Sequence, residues 1–319
     1  MLGPGEAALF RRLPPAGVIL FRRNVIDPVQ LRALIAELRR VLPEAAVLMV
    51  DQEGGRVARL RPPHWVGHPA AGAIGRLFRR DVGAGLRAAW LTGALIGLDC
   101  RGVGLDVACA PVLDLRLEGA SEVIGDRAFG AEPLEVARLG RAMAAGLLAA
   151  GVQPVGKHAP GHGRARVDSH LALPVVEAND LAADLAPFAA NPDLPWMMTA
   201  HIVYRAWDAE HPATLSARVI GEVIRGRAGF RGVLTSDDLA MEALSGTPAE
   251  RARAALEAGC DIALYCPGLA EGNAAVLEAV PALTPVALSR LAAARGLAMR
   301  RQMALDPAGL RAERDGLGI

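Results

Sequence analysis

The densest group of residues able to do chemistry is a polar loop that follows one apolar stretch of the chain. Residues 157–163 read KHAPGHG and residues 168–170 read DSH. Glycine and proline fix a tight backbone path that exposes the side chains beside them. Asp168 and His170 stand two apart, so the carboxylate can orient the imidazole, and an oriented imidazole transfers protons near neutral pH. We therefore expect His170 to transfer protons, with Asp168 as its partner.

Other roles for the histidines of this loop remain open. His158 or His162 could hydrogen-bond to the backbone and simply hold the loop. Three histidines and one aspartate so close in sequence could also bind a metal ion, but their spacing matches no zinc motif. We expect neither a metal nor any other cofactor.

A second candidate is the pair of adjacent carboxylates Asp237 and Asp238, which follows the apolar run Gly232–Ser236. Packing explains such a pair poorly, because an unpaired buried charge is costly. A turn from strand to helix does favour an acidic cap, which accounts for one of the two. We expect the other to face a substrate.

The chain contains a single lysine, Lys157, among 35 basic residues, and the rest are arginine. An ammonium group differs from a guanidinium in shape, hydration and titration, so this position suggests a site that arginine cannot serve. Chance survival of one lysine is the alternative. The segment 51–56, DQEGGR, is a weaker signal of the same kind as the Asp237-Asp238 pair, since Asp51 follows an apolar run and precedes two glycines.

Apolar runs and helical patterns alternate along the chain. Seven runs predict strands: Val18–Phe21, Val47–Val50, Gly104–Ala110, Val152–Gly156, Trp196–Ala200, Gly232–Ser236 and Ile262–Cys266. Helical patterns follow Asp27-Pro28, Ser216 and Thr247-Pro248, the last with Glu250 completing a capping box and Gly259 as the stop. Because the strands are apolar almost throughout, they predict a parallel sheet covered by helices.

The polar residues after these strands favour a barrel over an open sheet. An open sheet gathers its ligand groups at one switch point, whereas a barrel collects them from the ends of many strands. Nearly every predicted strand is followed by one: Asn24, Asp51, Asp114, Lys157-His158, His201 and Asp237. We therefore predict an α/β protein with a (β/α)8 TIM-type barrel. With seven strands found, the barrel should be incomplete or irregular at its N-terminal strand, with a gap beside Val18–Phe21.

No linker or low-complexity stretch divides the chain. We expect one catalytic barrel domain over residues 1–319, with the last ~20 residues as a C-terminal tail. The formal net charge is +1, with arginine and acidic residues mixed along the chain, which argues against nucleic acid and polybasic membrane partners. No apolar run reaches the ~18 residues of a membrane span and the first residues do not read as a signal peptide. A cytoplasmic monomer acting on a small molecule is expected.

Four cysteines lie in apolar contexts without the CxxC spacing of a metal or redox site. We expect them to be buried free thiols. They are Cys100, Cys109, Cys260 and Cys266.

Taken together, these motifs resemble glycoside hydrolase family 3, and specifically its single-domain β-N-acetylglucosaminidases. They are DQEGGR (51–56), GDRAFG (125–130), KHAPGHG (157–163), DSH (168–170), TAH (199–201) and SDDLAM (236–241). The likeness runs from residues 17–24 through 258–266 in the family's order. It implies a retaining β-N-acetylhexosaminidase (EC 3.2.1.52) that forms a covalent glycosyl-enzyme.

The resemblance also implies residue roles. Asp237 would be the nucleophile and His170 the acid/base, with Asp168 as the partner of His170. An imidazole near its working pKa can protonate the leaving oxygen and then deprotonate water. The sugar-binding residues would be Asp51, Arg59, Arg127, Lys157 and His158. The implied substrate is terminal β-linked N-acetylglucosamine on 1,6-anhydro-muropeptides, released during cell-wall peptidoglycan recycling.

The sequence departs from the family at three places. Asp126 and Phe129 lie in a segment where the family often has glutamate and tyrosine. Ala159 stands where the family usually has phenylalanine. The strand that usually precedes the first helix is not evident, because residues 2–13 already read as that helix.

Two alternatives from other functional classes remain. One is a class I aldolase-like barrel in which Lys157, its pKa lowered by burial near His158, forms a Schiff base with a carbonyl substrate. The other is a non-catalytic sugar-binding relative, which would bind the ligand without turnover.

Overall fold

Six parallel strands form a curled central sheet in the order β1-β2-β3-β4-β6-β8. The computed structural model describes residues 1–169 and 172–319. Two further short strands, β5 and β7, pair with each other in parallel. The strands are β1 (Gly17–Leu20), β2 (Val47–Val50), β3 (Val107–Ala108), β4 (Gln153–Ala159), β5 (Val175–Val176), β6 (Trp196–Thr199), β7 (Val203–Tyr204) and β8 (Val233–Thr235).

Helices lie between most of the strands, which is the alternation that the sequence predicts. They are α1 (Pro4–Arg12), α2 (Pro28–Val41), α3 (Ala71–Arg80), α4 (Val82–Val103), α5 (Pro133–Ala149), α6 (Ala182–Ala189), α7 (Pro248–Ala258), α8 (Ala270–Ala279), α9 (Pro285–Arg301) and α10 (Pro307–Gly316). A π-helical segment spans Val219–Arg227. None of the described helices is long and apolar enough to cross a membrane.

The predicted helix starts are confirmed, because the expected caps satisfy the first free N–H groups. Asp27 accepts hydrogen bonds from the N–H groups of Val29 and Gln30, both at 2.8 Å, and α2 begins at the next residue. Thr247 and Glu250 form the capping box of α7, and Gly259 ends that helix with a φ of 115°.

The longest central strand differs from its prediction at its end. We expected a strand over Val152–Gly156 followed by a loop, but β4 continues through Lys157 and His158 to Ala159, with a shift of register after Gly156. All seven residues of β4 are buried. The strand therefore carries Lys157 and His158 directly into the carboxyl end of the sheet.

The sheet does not close into a complete barrel within the described residues. The predicted strand Ile262–Cys266 forms only one bridge, between Ile262 and Thr235 of β8. A cleft of about 1430 Å³ lies between this segment and β1, and both line it. The expected gap beside the strand at Val18 is therefore present, and the irregular barrel predicted from the strand count is confirmed.

The last residues of the chain pack on the domain. Helix α10 contacts α4, where Arg87 makes two hydrogen bonds to Glu313, both 2.6 Å long. The guanidinium of Arg314 is buried and lies 3.2 Å from His68 Nδ1. Residues 307–316, expected as part of a tail, are thus a packed helix.

Candidate active site

A cavity of about 170 Å³ lies at the carboxyl ends of the central strands, where barrel enzymes place their active sites. Its polar lining comes from segments that are far apart in sequence. The lining includes Phe21 after β1, Asp51 and Arg59 after β2, Arg127, Lys157 and His158 at the end of β4, and Asp237 after β8. The fold therefore brings together six of the eight predicted site residues: Asp51, Arg59, Arg127, Lys157, His158 and Asp237.

A buried ion-pair network surrounds the only lysine. Lys157 Nζ lies 2.8 Å from Asp51 Oδ1 and 2.7 Å from Glu53 Oε1, and its side chain is 2% exposed. Arg59 donates to the other oxygen of Asp51 at 3.1 Å. Arg127 donates two hydrogen bonds to Glu53, at 2.9 and 2.8 Å. Each of the three cations is paired with at least one of the two carboxylates, which is what buried charges require.

The electrostatics of this network keep every member charged. Burial alone would raise the pKa of Asp51, but Lys157 and Arg59 lower it below its ordinary value. Burial alone would lower the pKa of Lys157, but the carboxylates of Asp51 and Glu53 raise it. A Schiff base forms from a neutral amine, so an ammonium ion held this way argues against the aldolase-like alternative.

The imidazole of His158 is bonded to the buried carboxylate of Asp114. Its Nδ1 lies 2.6 Å from Asp114 Oδ2, and its Nε2 lies 3.4 Å from a nitrogen of Arg127. Asp114 also accepts from the backbone N–H of His162 at 2.7 Å. Asp114 therefore holds the ring of His158 through Nδ1. The other ring nitrogen, Nε2, lies on the side of the ring that faces Arg127.

The two adjacent carboxylates have different surroundings, as expected. Asp238 Oδ1 accepts from the N–H groups of Ala240 and Cys266, at 2.9 and 3.0 Å, so it caps the turn after β8. Burial alone would raise the pKa of Asp237, but His158 and His201 nearby lower it. Asp237 is thus an ionised, half-buried carboxylate that lines the cavity.

His201 holds the chain beside this pair. Its Nε2 lies 2.9 Å from the backbone oxygen of Asp238, and its Nδ1 lies 2.8 Å from Thr214 Oγ1. Burial lowers its pKa despite the nearby charge of Asp237.

Asn24 is another polar residue at a predicted strand end. It accepts from the N–H of Phe21 at 2.9 Å and stabilises the turn after β1.

The predicted proton-transfer group, His170, lies outside the described residues. The structure describes its predicted partner Asp168, whose backbone oxygen accepts from the N–H of Ala172 at 3.1 Å. Ser169, the residue before His170, lines the cavity, and its Oγ lies 3.2 Å from His162 Nε2. Burial lowers the pKa of His162 to about 4.

Two charged residues of the site received no role from the sequence. Glu53 belongs to the DQEGGR segment, but only its partners Arg127 and Lys157 reveal its importance. Asp114 was noted as a polar residue after a strand, and its burial and contact with His158 were not foreseeable. An acidic residue inside the apolar run 107–115 was the available signal for Asp114.

Within residues 1–169 and 172–319, no group of three or more histidine, cysteine, aspartate or glutamate side chains is arranged to hold a metal ion. The four cysteines are buried and unpaired with one another in disulfides. Only Cys266 among them lines the cavity.

Comparison with known proteins places this site in a family. The model of the Glycosyl hydrolase family 3 N terminal domain matches residues 7–295. A curated β-hexosaminidase of Alkalilimnicola ehrlichii is 44% identical over 287 residues, covering 88% of this chain and 81% of that protein. A β-hexosaminidase of Bordetella avium is 42% identical over 284 residues, covering 86% and 79%.

Solved structures agree with this assignment. The crystal structure of NagZ from Neisseria gonorrhoeae in complex with N-trifluoroacetyl-D-glucosamine has a TM-score of 0.87 and 33% identity, covering 100% of this chain and 95% of that one. A β-N-acetylhexosaminidase from Beutenbergia cavernae has a TM-score of 0.74 and 29% identity, covering 98% and 93%. The TIM-like barrel and the β-hexosaminidase class expected from the sequence are confirmed. The chain belongs to glycosyl hydrolase family 3.

Proposed function

We propose that this protein is a retaining glycoside hydrolase that removes a terminal β-linked N-acetylglucosamine residue. The observation that carries the proposal is that Asp237 lines the same small cavity as Asp51, Lys157, His158 and Arg127. A carboxylate poised beside an array of hydroxyl-binding groups suits covalent catalysis on a sugar. The β-hexosaminidase relatives support the sugar class.

Binding would rely on the buried charged groups. Sugar hydroxyls both donate and accept hydrogen bonds, so the carboxylate of Asp51 would accept from one hydroxyl while Lys157 or Arg59 donates to another. Hydrogen bonds to charged groups are the strong ones. Because the ion pairs already hold these side chains, little conformational entropy is lost when the sugar binds.

In the first chemical step Asp237 would attack the anomeric carbon and form a glycosyl-enzyme. The lowered pKa of Asp237 keeps it ionised at neutral pH, as a nucleophile requires. The leaving oxygen takes a proton from His170, whose role rests on the resemblance of residues 168–170 to the family motif, with Asp168 orienting it. In the second step His170 takes a proton from water, and the water attacks the same carbon and displaces the Asp237 carboxylate, so the configuration is retained.

The finer substrate assignment is also a proposal. The family resemblance of the sequence motifs favours N-acetylglucosamine on 1,6-anhydro-muropeptides, a step of peptidoglycan recycling in the cytoplasm. The crystallised relative binds N-trifluoroacetyl-D-glucosamine, a sugar with an acylated 2-amino group. We expect this chain to require that group as well.

The test compares an aryl β-N-acetylglucosaminide with the matching aryl β-glucoside. We expect hydrolysis of the first only, with retention of configuration in the first-formed product. Asp237→Asn should lose nearly all activity, whereas Asp238→Asn, the neighbouring carboxylate that caps the turn, should lose much less. Binding of N-acetylglucosamine without hydrolysis of any glycoside would support the non-catalytic alternative instead.

The role of His170 can be tested separately with two leaving groups. An aryl oxide departs without a proton, but a sugar alcohol needs one. His170→Ala should slow hydrolysis of the natural disaccharide, whose leaving group is a sugar alcohol, by about 10²–10⁴-fold. This is the usual contribution of general acid–base catalysis. With the aryl glycoside the intermediate should accumulate, and azide should restore turnover as a β-glycosyl azide. Equal losses on both substrates, without azide rescue, would make His170 a binding residue.

A further inference from the structure

The Asp114 carboxylate is completely buried. It contacts the ring of His158, the proposed sugar-binding histidine that lines the cavity. It accepts hydrogen bonds from His158 Nδ1 at 2.6 Å, from the His158 backbone N–H at 3.1 Å and from the His162 N–H at 2.7 Å. A carboxylate has about four sites for accepting hydrogen bonds, so three are in use. Asp114 itself does not line the small cavity.

The contact with His158 decides which ring nitrogen carries a proton. An ionised carboxylate can only accept, so His158 Nδ1 must donate to it. Burial alone would raise the pKa of Asp114, but the neighbouring imidazole of His158 and the hydrogen bonds lower it, so the carboxylate stays ionised. His158 Nε2 is the remaining nitrogen, and Arg127 at 3.4 Å marks the side on which it lies.

We propose that Asp114 is a positioning residue that keeps His158 Nδ1 protonated and so presents Nε2 to the sugar. The inference rests on the proposed function for its kinetic consequence, because His158 is there a sugar-binding residue. Nε2 is then the nitrogen that exchanges a proton with solvent or substrate in every charge state of the ring. The orientation of the ring is fixed before the sugar arrives.

The same carboxylate also holds the loop that leads to His170. It binds the backbone N–H of His162, whose ring contacts Ser169 at 3.2 Å. The rings of His158 and His162 meet edge to face, with their centroids 5.6 Å apart. Asp114 thus fixes both histidines relative to each other through one buried group.

The direct test is the protonation state of His158 in the unmodified protein. Selective ¹⁵N labelling of the histidine rings, with His158→Gln to assign the signals, reports each ring nitrogen through a pH titration. We expect Nδ1 of His158 to carry a proton at every pH at which Asp114 is ionised, because Nδ1 donates to that carboxylate. A neutral His158 that carries its proton on Nε2 would overturn the proposal, and this readout needs no turnover.

The variant Asp114→Asn tests the functional consequence. An amide can turn its NH₂ group toward Nδ1, so the Nε2–H tautomer should appear in the spectra. We expect kcat/KM for an aryl β-N-acetylglucosaminide to fall about 10- to 100-fold, mainly through KM, the loss expected for a hydrogen bond to a charged group.

Asp261→Asn is the matched control, because Asp261 is also buried and binds two arginines and a backbone N–H away from the small cavity. It should lower stability while KM and the His158 signals stay native. The same result for Asp114→Asn would make Asp114 merely structural and overturn the proposal. If Asp114→Asn does not fold, the titration of the unmodified protein decides. Failure to cleave any N-acetylhexosaminide would refute the proposed function but leave the tautomer result intact.

Discussion

Lys157 occupies a position in which the shape of the cation matters as much as its charge. Its ammonium group lies within 2.8 Å of both Asp51 and Glu53, and the side chain is 2% exposed. The planar guanidinium of arginine is larger and cannot point three donors from one atom. Lys157→Arg should therefore raise KM for the aryl glycoside about 10- to 100-fold while the protein remains folded. Steady-state kinetics and a thermal melt measure the two effects.

Arg79→Lys serves as the control for that substitution. Arg79 also binds a glutamate, Glu135, but it is about half exposed and lies outside the cavity lining. Its conservative replacement should leave KM unchanged. If Lys157→Arg showed wild-type KM and kcat as well, the survival of a single lysine would have no functional meaning.

His162 makes folding stability depend on pH. Burial lowers its pKa from an ordinary 6.5 to about 4 in the folded protein, so the unfolded state binds a proton at a higher pH. Stability should therefore fall as the pH drops from about 6.5 to about 4, by up to about 3 kcal/mol from this group. His162→Gln, whose amide can still reach Ser169, should flatten that part of the curve. Urea unfolding at a series of pH values measures it.

The carboxylates of Asp51 and Asp114 should not obscure this result. Those of Glu135, Asp184 and Asp238 have raised pKa values and oppose the effect of His162, but they are common to the unmodified protein and His162→Gln, so the difference between the two curves reports His162. The pKa values of Asp51 and Asp114 are lowered in the fold, so their contributions to stability persist through this range and are lost only as the pH falls toward those lowered values. His201 is a second buried histidine with a lowered pKa, and His201→Gln provides a comparison. An unaltered pH dependence in His162→Gln would show that His162 does not control it.

The positions of polar residues after an apolar run were predictable from sequence, but the contacts that these residues make across the sheet were not. Asp51, Lys157 and Asp237 end or follow strands, so the barrel geometry alone places them together. Glu53 and Asp114 depend on which side chains they meet across the sheet, and single-sequence patterns carry no such information. The roles given to the predicted residues remain proposals.

At the scale of elements, the close packing of α4 against α5 depends on glycine. A Cβ added to Gly93 of α4 would lie 2.1 Å from the backbone oxygen of Met143 in α5, and one added to Gly146 would lie 2.1 Å from Trp90 O. Gly93→Ala should therefore force α4 and α5 apart and lower the free energy of unfolding by about 1–3 kcal/mol. Chemical denaturation measures the loss.

Gly102 lies in the same helix and provides the matched control. Nothing lies within 4 Å of a Cβ added there, so Gly102→Ala should be neutral or stabilise the protein by up to about 1 kcal/mol through helix propensity. Equal effects of the two substitutions would mean that helix propensity, rather than the contact between α4 and α5, determines the result.

Helix boundaries were easier to predict than strand boundaries. Asp27, Thr247 and Gly259 act through local hydrogen bonds or local backbone conformation, which a short stretch of sequence contains. Strand length depends instead on whether a neighbour is present to pair with. The run Ile262–Cys266 is apolar like a strand, yet only Ile262 makes a bridge.

For the whole molecule, the number of apolar runs correctly indicated an unclosed barrel, but the size of the opening could not be predicted. The cleft beside β1 is several times larger than the cavity that holds Asp237. Cavity size alone would therefore point away from the chemistry. The charged residues at the strand ends identify the site instead.

The open cleft predicts an alternating pattern of hydrogen exchange along 262–266. The N–H groups of Leu264 and Cys266 donate to Ser236 Oγ and Asp238 Oδ1, at 2.8 and 3.0 Å. In an extended segment the intervening N–H groups, of Ala263 and Tyr265, point the opposite way, toward the cleft, and make no hydrogen bond to the described part of the chain.

Ala263 and Tyr265 should therefore exchange much faster than Leu264 and Cys266, because unpaired sheet edges are open to water. Native-state exchange followed by NMR on the intact chain resolves the four amides, and the two bonded amides are the internal control. The experiment should be repeated over a range of protein concentrations. Equal protection of all four would show that another polypeptide segment covers the cleft in solution. If that protection grew with concentration, the segment would come from a second copy, contrary to the expected monomer.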